Sequence, residues 1–125
     1  MNSWSNIEEM AKLKKHIGVA TTEFKAIVPK TMEIKSLQPL ADKLRQRYNK
    51  LVVCAILLYC YAPRSLVGEK LPKMMGRLIA RAAQCHTCYL ARKKHEILFL
   101  YQHDDEFHKS IEDAMNYIAN YQPCV

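Results

Sequence analysis

From residue 40 onward, apolar side chains return at steps of three and four: Leu40, Leu44, Tyr48, Leu51, Val52, Ala55, Leu58 and Tyr59. That period is helical. It predicts one long helix opening near Pro39, whose missing N–H is harmless in a first turn, and stopping before Pro63. Its start is polar on one face. Its end, "LVVCAILLYCYA" (Leu51 to Ala62), is apolar all round and reads as the central buried helix of a soluble bundle. That run is too short for a membrane span, which needs about 20 residues.

After the loop "APRSLVGEKLP", the stretch "KMMGRLIARAA" reads as a short helix following Pro72, despite Gly76. A further helix is expected from about Thr87 through Tyr101. Leu90, Ile97, Leu98 and Tyr101 would face inward, with Tyr89, Arg92, Lys93 and Glu96 turned away. Asp104 and Asp105 are suited to cap a last helix, whose apolar set is Phe107, Ile111, Ala114, Met115, Ile118 and Tyr121. Upstream, residues 5–16 form an amphipathic candidate: Ser5 can cap, Glu8 follows three residues later, and Ile7, Met10, Ala11 and Leu13 mark one side. Residues 17–36 are either two short strands, "FKAIV" and "MEI", around Pro29, or an extended arm. The expectation is a mainly α chain, a compact bundle of four to five helices. Residues 1–38 would form an N-terminal helix and arm, and residues 39–125 a helical domain.

Composition agrees with this outline. The chain has 125 residues, half of them apolar, which suits one domain with one sizeable core. Only 3 Gly and 5 Pro speak against a turn-rich β protein. Charge adds something new. The net charge is +7, and it is concentrated: Arg64, Lys70, Lys73, Arg77, Arg81, Arg92, Lys93 and Lys94 stand against Glu69 alone, while the other 11 basic and 11 acidic residues cancel. Such segregation points to a polyanionic partner. The start, "MNSWSNIEEMAKLKK", lacks the basic cap and apolar stretch of a secretory signal. Five cysteines without such a signal suggest free thiols in a reducing cytoplasm. Cys54 and Cys60, inside the apolar run, read as small core residues.

Two chemistries compete for the stretch around Cys85. Cys85-x2-Cys88-x14-His103-x4-His108 has zinc-finger spacing. Yet "YLARKKHEILFLYQ", which joins the two halves, contains no Gly, Pro, Asn or Asp and is helical in period. A straight helix of that length, about 20 Å, holds Cys88 far from His103, whereas zinc ligands must converge to about 2.0–2.3 Å from the metal. No metal and no cofactor are expected. A pair of helices joined by a short turn accounts for more of the same residues. Ala80 is small enough for a helix crossing, Ile79, Ala83, Cys85 and Leu90 supply apolar contacts, "QCH" is a short turn, and Thr87 can cap the second helix. This helix-turn-helix-like unit would span about residues 73–101.

Here the chain resembles a family. The spacing of "IARAAQ" and "TCYLAR" looks like that of bacterial helix-turn-helix regulators. The wider stretch "YAPRSLVGEKLPKMMGRLIARAAQC" with "FLYQHDDEFHKSIEDAMNYI" resembles small helical transcription regulators encoded on prophages and mobile elements. The resemblance covers roughly residues 50–120, with Gln84 where many such motifs have glycine and Lys93 where an apolar residue often packs. It implies binding of double-stranded DNA. Lys70, Lys73, Arg77, Arg81 and Lys94 would contact phosphates, which gives affinity without sequence information. Thr87, Tyr89, Arg92 and Lys93 would face base edges, Arg92 being suited to a bidentate guanine contact, and His86 would touch a phosphate or a base. Such modules commonly work as symmetric dimers, so a homodimer through the C-terminal helix, with Tyr117, Tyr121 and its acidic face, is expected.

The alternative is a non-enzymatic accessory or assembly protein whose basic patch meets an acidic protein. An enzyme is not expected. His16, His86, His95, His103, His108, Asp104, Asp105 and Glu106 fall into no phosphate loop, Ser-His-Asp pattern or carboxylate pair.

Overall fold

The computed structural model describes Ala11, residues 34–67 and residues 70–120, with the side chain of Val67 left aside. Five α-helices make up these residues, with no strand among them: α1 (Leu37–Arg47), α2 (Lys50–Tyr61), α3 (Lys73–Ala83), α4 (Thr87–His103) and α5 (Asp105–Ala119). Short 3-10 turns, Ile34–Ser36 and Pro63–Val67, precede α1 and follow α2. Ala11 is helical. The expected N-terminal helix, apart from that residue, and the strands or arm up to residue 33 lie outside the described residues, as does Tyr121. Ile34–Ser36, the last three residues of the 17–36 segment, form a 3-10 turn rather than strand or extended chain.

The architecture is the expected mainly α bundle, arranged around α2. Every side chain from Val52 to Tyr59 is buried, and α2 touches each of the other four helices. A helix apolar on all sides needs neighbours on all sides. The others offer single faces: Leu37, Leu40, Ala41 and Leu44 from α1; Ile79, Ala80, Ala82 and Ala83 from α3; Leu90, Ile97, Leu98 and Tyr101 from α4; Phe107, Ile111, Ala114, Met115 and Ile118 from α5.

The single long helix expected over Pro39 to Ala62 is two helices. Tyr48 is extended (φ −130°, ψ 159°) and closes α1. Asn49 is also extended, and its side-chain oxygen accepts a hydrogen bond from the Val52 N–H at 3.0 Å. Asparagine competes well for this capping position, and the chain folds back there so that α1 packs beside α2. The apolar spacing runs through the break because Tyr48 itself stays half-buried, donating from its hydroxyl to Asp113 on α5 at 2.5 Å.

At the far end, Asp104 ends α4 and starts α5, its carboxylate accepting from the Phe107 N–H at 3.0 Å. The α4–α5 hairpin is fastened by the buried Tyr101. Its hydroxyl donates to Glu112, its ring stacks on His108 with centroids 4.2 Å apart, and its carbonyl accepts from His108 Nδ1 at 2.9 Å.

Candidate nucleic-acid interface

The turn between α3 and α4 sets the geometry of the basic surface. Gln84 takes the left-handed conformation (φ 58°, ψ 49°), the only described non-glycine residue with positive φ. Its N–H donates to Arg81 O at 3.1 Å, and the Cys85 N–H donates to Ala80 O at 2.9 Å. This pair of bonds satisfies two carbonyls that α3 would otherwise leave open, the Schellman arrangement in which glycine is usual. His86 is extended and stands at the N-cap of α4, without a side-chain capping bond. Thr87, expected as the cap, is instead the first helical residue.

Between α3 and α4, beside the approach to α3, lies a groove of about 270 Å³. Lys70, Lys73, Arg77 and Lys94 stand around it with Thr87, and Leu71, Gly76 and Ala91 are among its apolar lining. None of the described acidic residues lines it. Lys73 and Arg77 are one turn apart on α3, just after Pro72 starts that helix. Gly76 lets the segment before α3 come close: a Cβ there would lie 3.1 Å from Leu71 Cδ2.

Successive residues of a helix are rotated by about 100°, and this divides the basic residues of α4 among three stripes. Thr87, Ala91 and Lys94 border the groove. Cys88, Arg92, His95 and Phe99 form a solvent-exposed stripe. Tyr89, Lys93 and Glu96 form the third. Tyr89 does not point away from the core as expected: it is half-buried against it, and burial raises its hydroxyl pKa. The ammonium groups of Lys50 and Lys93 lie 5.3 and 5.9 Å from its ring centroid, and Lys93 also pairs with Glu96 at 3.2 Å. Arg81 and His86 are exposed beyond the groove. The ten residues expected to meet DNA therefore do not share one face; five of them, Lys70, Lys73, Arg77, Thr87 and Lys94, come together.

The apolar lining was missed in the sequence. Its signal is the small residues Gly76 and Ala91, which leave room between the two helices. Also missed was a second cleft of about 490 Å³, bordered by Ile34, Tyr61, Arg64, Met74, Met75 and Leu78. Tyr117, expected at a dimer interface, packs on its own chain with the Arg47 guanidinium 4.6 Å from its ring centroid.

Helix α4 is unbroken from Thr87 to His103, so Cys88 and His103 sit at opposite ends, about 22 Å apart at 1.5 Å per residue. Among the described residues, no three His, Cys, Asp or Glu side chains are gathered as metal ligands, and no helix is long and apolar enough to cross a membrane. No family model, curated protein or solved structure matches this chain.

Proposed function

We propose that the chain binds duplex DNA through the α3–turn–α4 unit, acting as a transcription regulator of the prophage and mobile-element kind that its sequence resembles. The groove carries this reading. Four basic residues and a threonine line it, with no described acidic residue among the lining. Cations held close together raise one another's electrostatic energy, and a polyanion relieves that repulsion while releasing its own counterions.

In this reading Lys70, Lys73, Arg77 and Lys94 hold phosphates, with Arg81 at the margin. Thr87 and Arg92, near the start of α4, reach base edges, and His86 lies beside them. Lys93 and Tyr89 support α4 from its other flank. A single two-helix unit offers few base contacts, so a symmetric dimer completes the site. The test is a salt-titrated binding assay on random-sequence duplex. Binding at low salt should weaken linearly in log affinity against log salt. Failure to bind at the lowest salt the protein tolerates would end this reading.

A further inference from the structure

Two sulfurs meet where α2 passes the α3–α4 turn. Cys54 Sγ lies 3.8 Å from Cys85 Sγ, across 31 positions of sequence. Cys54 is fully buried within α2, and Cys85 is half-buried in the turn. Cys88, one helical turn further on, is on the exposed stripe of α4. The four described cysteines are free thiols. The Cys85 side chain thus turns toward α2 while its neighbour in the Cys-x-x-Cys pair turns to solvent. No residue of the proposed DNA groove is involved.

We propose that Cys54 and Cys85 form an oxidative modification site, which hydrogen peroxide converts into a disulfide joining α2 to the α3–α4 turn. The thiolate sulfur of Cys85, the more accessible of the two, attacks one peroxide oxygen. The O–O bond breaks and hydroxide leaves, which with the thiol proton makes one water. Cys85 is then a sulfenic acid. The sulfur of Cys54 attacks Cys85 Sγ, the S–S bond forms as the S–O bond breaks, and the departing hydroxide takes the Cys54 proton as a second water. Two thiols lose two electrons and one peroxide gains them.

The sulfurs must close from 3.8 Å to about 2.05 Å. A rotation of the Cys85 side chain leaves its backbone N–H bond to Ala80 O in place. Burial pushes the Cys54 thiol well above its ordinary pKa. That assigns the first attack to Cys85.

The test oxidises the native, full-length protein with hydrogen peroxide, alkylates the remaining thiols in denaturant, and locates the link by tandem mass spectrometry of peptides. Fragmentation within the peptides is needed, because Cys54 neighbours Cys60 and Cys85 neighbours Cys88. The principal link expected is Cys54–Cys85, retained in Cys88→Ala and lost to a reducing thiol, which restores the free cysteines. Oxidation in denaturant should abolish that preference and favour the nearby Cys85–Cys88 pair. A principal native link through Cys60, Cys88 or Cys124 would overturn the proposal. So would the absence of any link once Cys88 is fully oxidised, or the same products with and without denaturant. None of these readouts involves DNA, so the outcome is independent of the proposed function.

Discussion

Gln84 is where the backbone of this chain asks most of a single side chain. A left-handed residue costs about 1–2 kcal/mol when a Cβ is present, and at φ 58° Gln84 bears that cost to form the turn. Gln84→Gly removes the clash but loosens the unfolded chain, which offsets about 0.4–1 kcal/mol, so a net gain of up to about 1.6 kcal/mol is expected. Gln84→Val, β-branched, should lose about 1 kcal/mol or more. Urea unfolding of the two variants checks the order, and a valine variant as stable as the parent would contradict the turn geometry. Titration gives a second residue-scale prediction. Burial, then the hydrogen bond to Asp113 and its charge, pushes Tyr48 up to about 12, and burial does the same to Tyr59 and Cys60. In the unfolded chain these groups ionise near their ordinary 10.0 and 9.0. Their raised folded values mean that the native state keeps protons the unfolded state gives up. Their contribution to stability is full below pH 9 and declines as the pH rises towards about 12. Urea midpoints measured from pH 8 to pH 11 should fall, and Cys60→Ala should make the fall between about 9 and 10 shallower without abolishing it, because the buried Cys54 thiol is also raised. A flat profile to pH 11 would show these groups to be exposed.

Among the helices, the informative boundary is the one between α1 and α2. Asn49→Ala removes the acceptor for the Val52 N–H and should cost about 1 kcal/mol, while Asn49→Asp keeps it and should cost little. If the alanine variant unfolds at the parent's urea midpoint, the cap is not holding that corner. The same boundary explains what was legible in the sequence. Periodicity located the apolar faces well: Leu40, Leu44, Leu90, Ile97, Ile111 and Ile118 are all buried. It could not locate the break, because the two extended residues, Tyr48 and Asn49, leave the three- and four-residue spacing nearly intact. Prolines and aspartates were better punctuation. Pro63 and Pro72 bracket the loop, and Asp104 caps α5 as its side-chain chemistry suggests. The candidate site was legible as a charge run and not as a surface. Arg92, Lys93 and Lys94 are consecutive in sequence, but the rotation of about 100° per residue turns them to three different stripes. Only the packing of α4 against α3 and the residues before it decides that Lys94 joins Lys73 and Arg77.

At the scale of the whole molecule, the concentration of charge becomes a prediction about affinity. The +7 carried between Arg64 and Lys94 falls on α3, α4 and the segment leading into them, while α5 begins with Asp105 and Glu106. Four of the eight basic residues in that stretch, Lys70, Lys73, Arg77 and Lys94, line the groove. The proposed DNA reading therefore ranks residues by position rather than by charge. Lys73, Arg77 and Lys94 surround one cavity, so Lys73→Ala, Arg77→Ala and Lys94→Ala together should remove most duplex binding. Lys73 and Arg77 are exposed and Lys94 is half-exposed, so little packing is removed, and relief of their mutual repulsion favours the folded state. Thermal midpoint should therefore stay near the parent's. Every phosphate left without its cation should reduce the steepness of log affinity against log salt by about 0.9, so about 2.7 for the three. Arg92→Ala should behave differently. If Arg92 meets a guanine, its loss costs roughly 1–3 kcal/mol on a sequence that offers that base, with little change on one that does not. Lys93→Ala, whose ammonium is engaged with Glu96 and near Tyr89, should alter binding less than Lys94→Ala. Lys109→Ala, exposed on α5, is the control and should change neither affinity nor slope. A folded triple variant that binds with the parent's affinity and slope would remove the groove from the site. Equal losses for Lys93→Ala, Lys94→Ala and Lys109→Ala would show that net charge alone, rather than the arrangement around α3 and α4, holds the polyanion.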